Sequence, residues 1–376
     1  MLCLILEQIK LIMIKGSLLF VFTLLCIGTF EAQILKPGFE KAEYIELLKM
    51  NGCQSDTIYP NATFRPANFD RIYRSPIVGL LNRWDLWVNH EHTIAGISIR
   101  ATVGESLSWL GNFYSGMIPA TDSILLNNGK TFNYKLSEDK KSAVHVGWTI
   151  GLGSMAGDIL QKIDSCYKSG IKDFYIVGHS QGGAISYLLT AYVLLLQKDG
   201  KLPADIQFKT YCSAAPKPGN LFFAYNYEAL TQGGWAFNVV NSEDWVPQMP
   251  VSVQTTDDFS VTNPFVNIIP MLKKQKFPID IALISAYHDV DNALKKGRKK
   301  LQKYLGYRAG KIVLKSRPNL KTPEFYNSQN YVRTGTTIVL YPKEDYYTLF
   351  PEKNEENIFQ HHMLEAYLYL AKQLAE

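Results

Sequence analysis

The chain has 376 residues, of which 47% are apolar and 19% charged, which is enough for one large core around a central sheet. Its 39 basic and 34 acidic residues are nearly balanced, and it has no internal repeat or low-complexity tract, so we expect a folded enzyme-sized domain and no nucleic-acid partner. The run His90-Glu91-His92 has no neighbouring cluster of metal-binding residues, and we predict neither a metal nor a cofactor.

The N-terminal segment predicts export. Lys10 and Lys15 precede an apolar run over residues 18–27, which is too short to span a bilayer but has the length of a signal-peptide core. We predict a signal peptide over residues 1–32, with no stable transmembrane segment after its removal. The mature protein is then secreted or periplasmic.

Two alternatives concern this leader and the remaining cysteines. The start codon could lie at Met13, and Cys26 could be a lipoprotein cysteine, although the residues before it match that signal poorly. Beyond the leader only Cys53, Cys166 and Cys212 remain. Three cysteines cannot all pair, and we predict no necessary disulfide.

Further along the chain, residues 36–90 are expected to form an N-terminal helix and an extended segment packed against a sheet. An apolar segment rich in glycine follows over residues 104–118. It fits either a lid over a binding site or ordinary packing against the sheet. Both interpretations stay open at this level.

The decapeptide FYIVGHSQGG, which begins at Phe174, is the most informative part of the chain. A short strand-like run leads into a G-x-S-x-G pattern formed by Gly178, His179, Ser180, Gln181 and Gly182, and an apolar helical stretch follows. This strand–turn–helix context is typical of a nucleophile elbow, in which the glycines prevent clashes in a very tight turn. The pattern predicts a serine hydrolase with Ser180 as its nucleophile.

A serine hydroxyl needs a histidine base and an acid that orients this base. In α/β-hydrolases the acid and the histidine follow the serine in chain order. Three histidines qualify by position. His288 lies in a charged helical stretch and is expected to be solvated, whereas His361 and His362 immediately precede an apolar helix that closes the chain.

The acid is expected just after a strand-like run over residues 235–241. Glu243 and Asp244 follow it in a loop, and a carboxylate past a strand's carboxyl end lies at the sheet edge where ligands bind. Position alone does not separate the two. A solvated acidic loop without a catalytic role is the alternative.

The long segment after this loop is the least readable part of the chain. Residues 287–316 are basic and helical in pattern, and residues 331–340 alternate like a strand or a hairpin arm. We interpret residues 251–356 as an insertion in the domain, with a cap over the site as one hypothesis. The basic run predicts a solvated helix face, and docking on anionic lipid is the alternative.

Six further motifs, specific in their order and spacing, carry a family resemblance. They are residues 92–102 (HTIAGISIRAT), 108–113 (SWLGNF), 145–148 (HVGW), 213–220 (SAAPKPGN), 241–250 (NSEDWVPQMP) and 362–367 (HMLEAY). With the elbow, they make the chain resemble the class 3 lipases, the fungal-lipase-like branch of the α/β-hydrolases. The resemblance implies an α/β-hydrolase fold over residues 33–376, with a mostly parallel central sheet flanked by helices and an insertion between the triad aspartate and histidine.

The resemblance also implies roles for individual residues. It selects Asp244 over Glu243 as the triad acid and His362 over His361 as the base. It places the oxyanion hole at the backbone amides of Thr102 and Gln181. The implied function is hydrolysis of lipid carboxylic esters through an acyl-enzyme, without a cofactor, and action at a lipid–water interface is one hypothesis.

Three features depart from the family pattern. Ala101 replaces a usual glycine, Gln181 replaces a frequent leucine, and a long gap separates Asp244 from His362. None of them removes a catalytic group. A phospholipase or short-chain esterase with the same triad, or a non-catalytic scaffold that binds lipid or a partner, remain alternative functions, and the sequence leaves the oligomeric state open.

Overall fold

The computed structural model of the protein describes residues 34–54, 64–352 and 357–375. The expected signal peptide over residues 1–32, its alternative start and Cys26 lie outside the described residues. Residues Leu35–Glu376 form one unit by their contacts. Among the described residues, no helix has both the length and the apolar character that a bilayer span requires.

A seven-stranded sheet forms the centre of the fold, in the order β1-β2-β3-β8-β9-β10-β11. The first two pairings are antiparallel, and every pairing from β3 to β11 is parallel. This mostly parallel sheet confirms the predicted fold class. Its strands are β1 Phe69–Arg74, β2 Trp84–Asn89, β3 Ile94–Ile99, β8 Asp173–His179, β9 Gln207–Ser213, β10 Ala236–Asn241 and β11 Thr336–Leu340.

Two small antiparallel pairs accompany the central sheet. One joins β4 (Met117–Pro119) to β7 (Ala143–His145), and the other joins β5 (Thr121–Leu125) to β6 (Thr131–Lys135). The apolar side chains of these pairs, such as Ile118 and Phe132, are buried in the larger core. The pairs therefore extend one face of the domain.

Helices cover both faces of the central sheet because its strands are apolar on both sides. On one face lies a core that includes Ile159 and Leu188, and on the other a core that includes Leu48 and Tyr367. The helices that precede Asp244 are α1 Lys41–Gly52, α2 Ser106–Phe113, α3 Val146–Lys168, α4 Gln181–Lys198 and α5 Leu221–Thr231. The remaining helices are α6 Ile269–Leu272, α7 Ile279–Leu301, α8 Ala309–Ser316, α9 Glu344–Leu349 and α10 Leu364–Lys372.

The strand order brings the chemistry-bearing loops to one edge of the sheet. In the parallel register, Ile99 of β3 is paired with Gly178 of β8, and His179 is paired with Ser213 of β9. The carboxyl ends of β3, β8 and β9 therefore end at the same level. Ligands bind at this edge in open α/β sheets.

The segment expected as an insertion over residues 251–356 is not peripheral along its whole length. Its β11 pairs in parallel with β10, from Phe237 beside Thr336 to Asn241 beside Leu340, and so completes the central sheet. The strand is shorter than the alternating run at residues 331–340, and it is not a hairpin arm. The part that is mostly exposed is helical and contains α6 and α7, whereas Ala309 and Val313 of α8 are buried in the larger core.

Candidate active site

Ser180 occupies the tight turn between β8 and α4, with a φ of 58° that non-glycine residues rarely adopt. The two flanking glycines are required sterically. A Cβ on Gly178 would lie 2.2 Å from the carbonyl carbon of Gly182, and a Cβ on Gly182 would lie 2.2 Å from the carbonyl oxygen of Ile99. The backbone strain at Ser180 is of the kind that proteins retain at functional sites.

The turn places Ser180 at the N-terminal end of α4. Its own amide donates to the Ser213 carbonyl at 2.9 Å. Gln181 is the first residue of α4, so its amide is one of those that a helix leaves without an intrahelical acceptor. Such an N-terminus favours negative charge, which suits an oxyanion forming beside Ser180.

Asp244 and His362 meet although 118 positions separate them. His362 Nδ1 lies 2.7 Å from Asp244 Oδ2, and both residues are buried. The same carboxylate accepts hydrogen bonds from the Tyr367 hydroxyl at 2.8 Å and from the Val246 amide at 2.9 Å. These donors fix the orientation of the carboxylate and therefore of the imidazole that it holds.

The other candidate acid and the other candidate histidines have different surroundings. Glu243 is exposed, whereas Asp244 is 2% exposed. The His361 ring bonds to the Tyr346 hydroxyl at 2.8 Å, and its carbonyl accepts from the Asn241 side chain at 2.9 Å. His288 is exposed on α7, as expected. The geometry therefore joins the pair that the family resemblance selected.

The Ser180 hydroxyl forms no direct hydrogen bond to the His362 ring within the described part of the chain. Catalytic hydrogen bonds of this type are often long in ligand-free proteins and tighten when substrate binds. The two residues are connected through His179, which precedes Ser180 in the elbow. The His179 Nε2 atom is 2.7 Å from the His362 carbonyl oxygen.

His179 belongs to a buried hydrogen-bonded chain beneath the site. Because the His362 carbonyl can only accept, Nε2 of a neutral His179 carries the proton, and Nδ1 accepts from Ser213 Oγ at 3.2 Å. The Ser213 hydroxyl in turn accepts from Tyr44 at 2.8 Å. Burial, followed by the Coulomb interaction with the nearby His362, holds the pKa of His179 well below its usual value, which keeps this ring neutral.

Sequence reasoning missed the role of Asn112 in α2, which links both expected oxyanion-hole residues. Its Nδ2 donates to Thr102 Oγ1 at 2.9 Å, and its Oδ1 accepts from Gln181 Nε2 at 2.8 Å and from Trp148 Nε1 at 3.0 Å. Gln181 also donates to the Ser108 carbonyl at 3.1 Å. The signal was available, since residues 108–113 form one of the family motifs and carry asparagine where the family has aspartate.

The polar side chain at Gln181 thus has a structural explanation. Gln181 stands where the family often has leucine, and Asn112 stands where it has aspartate. The Asn112 side chain accepts the hydrogen bond that the Gln181 side chain donates. Alanine in place of the usual glycine at position 101 would be strained only at a positive φ, and Ala101 is not among the described non-glycine residues with positive φ, which are Leu81, His92, Ser180 and Ala214.

His145 supports Asn112 from below. Its Nε2 donates to the Asn112 carbonyl at 3.0 Å, and its ring stacks on Trp148 with centroids 3.6 Å apart. Burial lowers the pKa of His145 to about 3, so the ring is neutral. A neutral imidazole can accept from the Trp148 amide at Nδ1, as the 3.3 Å contact requires.

A small apolar pocket opens at Ser180. Its volume is about 110 Å³, and its lining includes Gln181, Val251 and Leu305. Four aromatic residues form a packed group beside it, in which Trp109 packs on Phe113 and on Phe359, and Phe359 packs on Trp245, with ring centroids 5.1 to 6.3 Å apart. These four aromatic residues also belong to the pocket lining.

The remaining expectations concern cysteines and metals. Cys53, Cys166 and Cys212 are free thiols, each of them buried. In the described ranges, no three His, Cys, Asp or Glu side chains are grouped so that they could hold a metal ion.

Comparison with known proteins bears on the predicted family resemblance. A family model described as Lipase (class 3) matches residues 96–254, which contain the elbow, Thr102, Asn112 and Asp244. The predicted resemblance to class 3 lipases, within the α/β-hydrolase superfamily, is confirmed over that segment.

Individual relatives agree over shorter stretches. The chain is 32% identical to Toxin TseL of Vibrio cholerae over 107 residues, which are 28% of this chain and 15% of the toxin. It is 32% identical to the secreted mono- and diacylglycerol lipase 1 of Fusarium solani over 108 residues, which are 28% of this chain and 29% of that lipase. The chain therefore matches less than a third of the length of either relative.

Among solved structures, the chain is similar to a Rhizomucor miehei lipase in complex with its propeptide. The alignment covers 57% of this chain and 65% of that one, at 16% identity and a TM-score of 0.42.

Proposed function

We propose that the protein is a serine hydrolase that cleaves carboxylic esters of lipids. The observation that carries the proposal is the 2.7 Å hydrogen bond between His362 and Asp244 at the same sheet edge as the strained elbow of Ser180. The match of residues 96–254 to the class 3 lipase family model and the names of the relatives support lipid esters as the substrate class.

In the proposed mechanism, Ser180 Oγ attacks the acyl carbonyl carbon while His362 Nε2 takes the hydroxyl proton. Asp244 stabilises the imidazolium and holds its tautomer through Nδ1. The carbonyl oxygen becomes an oxyanion that accepts from the backbone amides of Thr102 and Gln181. His362 then protonates the leaving alcohol, the ester bond breaks, and an acyl group remains on Ser180.

Water completes the cycle. His362 removes a proton from a water molecule, which attacks the acyl-enzyme through a second oxyanion in the same hole. Collapse of this intermediate returns the proton to Ser180 and releases the carboxylic acid. Neither half of the cycle needs a cofactor.

The pocket volume bears on the size of the substrate. A volume of about 110 Å³ is well below the roughly 300–1,000 Å³ of pockets that enclose drug-sized ligands. Long acyl chains therefore require the aromatic group of Trp109, Phe113, Trp245 and Phe359 to move. A short-chain esterase is the second candidate function, because the pocket as it stands fits a short acyl group.

The first experiment is labelling with a fluorophosphonate probe, which reacts with an activated serine. We expect the wild type to be labelled and to hydrolyse tributyrin, and Ser180→Ala to do neither. A folded wild type that resists the probe even in detergent contradicts the proposal and favours a non-catalytic scaffold. A series of p-nitrophenyl esters of increasing chain length, with and without micelles, then separates lipase from esterase.

We also propose that the protein is exported. Both the apolar run at residues 18–27 and the secreted relative from Fusarium solani support this. N-terminal sequencing of the mature protein would test the expected cleavage after residue 32. A mature chain that still begins at Met1 or Met13 contradicts it.

A further inference from the structure

We propose that residues 256–301 form a docking arm for anionic lipid surfaces. This arm is separate from residues 104–118, the segment whose sequence fits a lid. The docking arm comprises two 3₁₀ turns, α6, a tip over residues 273–278 and α7. It goes beyond the proposed ester hydrolysis, because binding to a lipid surface needs no catalysis.

The docking arm exposes apolar side chains to an unusual degree. Nine of the twenty-five large apolar residues that are exposed in the described part of the chain lie in it. They are Val261, Phe265, Met271, Phe277, Ile279, Ile281, Leu283, Val290 and Leu294. Exposed apolar surface that is this concentrated marks an interaction site or a lipid contact.

An apolar groove of about 490 Å³ runs between the two sides of the arm. Phe259, Phe265, Ile268 and Leu272 line one side of it, and apolar residues of α7 from Leu283 to Leu294 line the other. The side chains of the arm leave this groove open. The apolar parts of lipid molecules can therefore bind in it.

The charge of this region is complementary to an anionic surface. The docking arm, residues 256–301, contains eight lysines and arginines and five aspartates, for a net charge of +3. Three of the aspartates are engaged by partners within the protein. Asp257 pairs with Arg298, Asp258 bonds to Ser328, and Asp291 pairs with Lys295.

At the tip, three basic side chains lie close in sequence to an exposed aromatic one. Phe277 is 79% exposed, and Lys273, Lys274 and Lys276 are exposed beside it. None of these lysines forms a salt bridge with another described residue. An exposed aromatic ring flanked by free lysines matches a membrane interface, where the ring enters the acyl boundary and the ammonium groups meet anionic headgroups.

The base of the docking arm is fixed next to the candidate active site. Arg298 of α7 donates to Thr255 Oγ1 and to the Asn327 carbonyl, and Thr256 donates to Asp291 at 2.7 Å. Val251 precedes the arm and Leu305 follows it, and both line the pocket at Ser180. The arm is therefore connected at both of its ends to residues that line the pocket at Ser180.

The test is vesicle co-sedimentation of the full chain in a Ser180→Ala background, so that no hydrolysis occurs. Vesicles of phosphatidylcholine alone are compared with vesicles of equal parts phosphatidylcholine and phosphatidylglycerol. We expect preferential binding to the mixed vesicles, weakened by salt. Every variant shares the apolar run at residues 18–27, so differences between variants report on the arm.

Two variants of the tip isolate its contributions. The triple variant Lys273→Gln, Lys274→Gln, Lys276→Gln should bind the mixed vesicles about a hundredfold more weakly, at about fivefold per lysine. Phe277→Ser should weaken binding about tenfold or more, because one aromatic ring no longer leaves water.

Matched controls remove equivalent groups elsewhere. Lysines 130, 140 and 343, which are exposed and form no salt bridge with another described residue, are replaced by glutamine together, and Tyr341, which is 74% exposed, is replaced by serine. We expect these controls to bind like the parent. Near-ultraviolet circular dichroism and the thermal midpoint establish that each variant is folded.

Equal binding of the tip variants and the controls overturns the docking arm. So does a wild type that forms dimers through this surface and does not bind vesicles, since a second copy then covers it. Vesicle binding through the tip in a chain that fluorophosphonate does not label keeps this inference and contradicts only the proposed catalysis.

Discussion

The sheet edge around Ser180 and the docking arm differ in which side chains they bury and which they expose. At the sheet edge, aspartate, histidines and tyrosines are buried and each has hydrogen-bond partners, as in the series from Tyr44 through Ser213 and His179 to His362. In the docking arm, phenylalanine and isoleucine side chains are exposed, and the tip lysines 273, 274 and 276 form no salt bridge with another described residue. The hydrogen bonds at the sheet edge orient the groups proposed for catalysis. The exposed side chains of the docking arm form a surface that can bind a partner. One chain thus has one region suited to chemistry and another suited to binding.

The largest effect expected concerns the buried carboxylate. Asp244→Asn should lower kcat by about 10⁴-fold, because an amide neither stabilises the imidazolium nor holds the correct tautomer of His362. The matched control is Glu243→Gln, which changes the exposed neighbour in the same way and should leave kcat unchanged. Steady-state kinetics on tributyrin measure both. Equal losses in the two variants would remove the distinction between buried and exposed carboxylates.

The second effect compares two phenylalanines. Phe174 in β8 is fully buried, and Phe174→Ala should lower the free energy of unfolding by about 3–5 kcal/mol. Phe277 at the tip of the docking arm is 79% exposed, and Phe277→Ala should change it by less than about 0.5 kcal/mol. Urea denaturation measures both values. A large loss for Phe277→Ala would mean that Phe277 is packed against other residues in solution. That result would contradict the proposed docking arm, which requires Phe277 to be exposed.

Acid should weaken the buried network. The pKa of His145 is lowered to about 3 and that of His179 lies well below 6.5, in both cases mainly through burial. The unfolded chain takes up protons at these rings first, so their contribution is complete above pH 6.5 and is lost as the pH falls below it. Each ring should reduce the free energy of unfolding by about 1.4 kcal/mol per pH unit.

Urea midpoints between pH 6.5 and 5.5 test this dependence. Removing one buried ring with His145→Asn should remove about half of the slope in a variant that remains folded. A wild-type stability that is flat over this range would show that these rings are protonated in the native protein or accessible to solvent.

The smallest effect concerns the support of the oxyanion hole. Asn112→Ala removes the partner of Thr102 and Gln181, and should lower kcat about tenfold to a hundredfold, since the loss of a buried polar partner costs about 1–3 kcal/mol. If Asn112 acts by positioning, KM should change little, and Asn112→Asp should restore part of kcat through its bond to Gln181. A loss confined to KM would instead assign Asn112 to substrate binding.

Much of the site followed from the sequence because its signals are local. The strand, the G-x-S-x-G turn and the helix lie within one continuous stretch, and the steric need for glycine at positions 178 and 182 arises from the turn itself. The order of the motifs around it was sufficient to indicate the class of fold.

Other features were decided by contacts between residues distant in the chain. Asp244 meets His362 across 118 positions, and Asn112 meets Gln181 across 69, so no local pattern could reveal either distance. The same holds for β11, whose place beside β10 depends on sheet pairing rather than on its own alternation. The exposure of α7 also depends on which surfaces the rest of the fold covers, because an apolar helix has the same sequence pattern whether it packs inside or faces outwards.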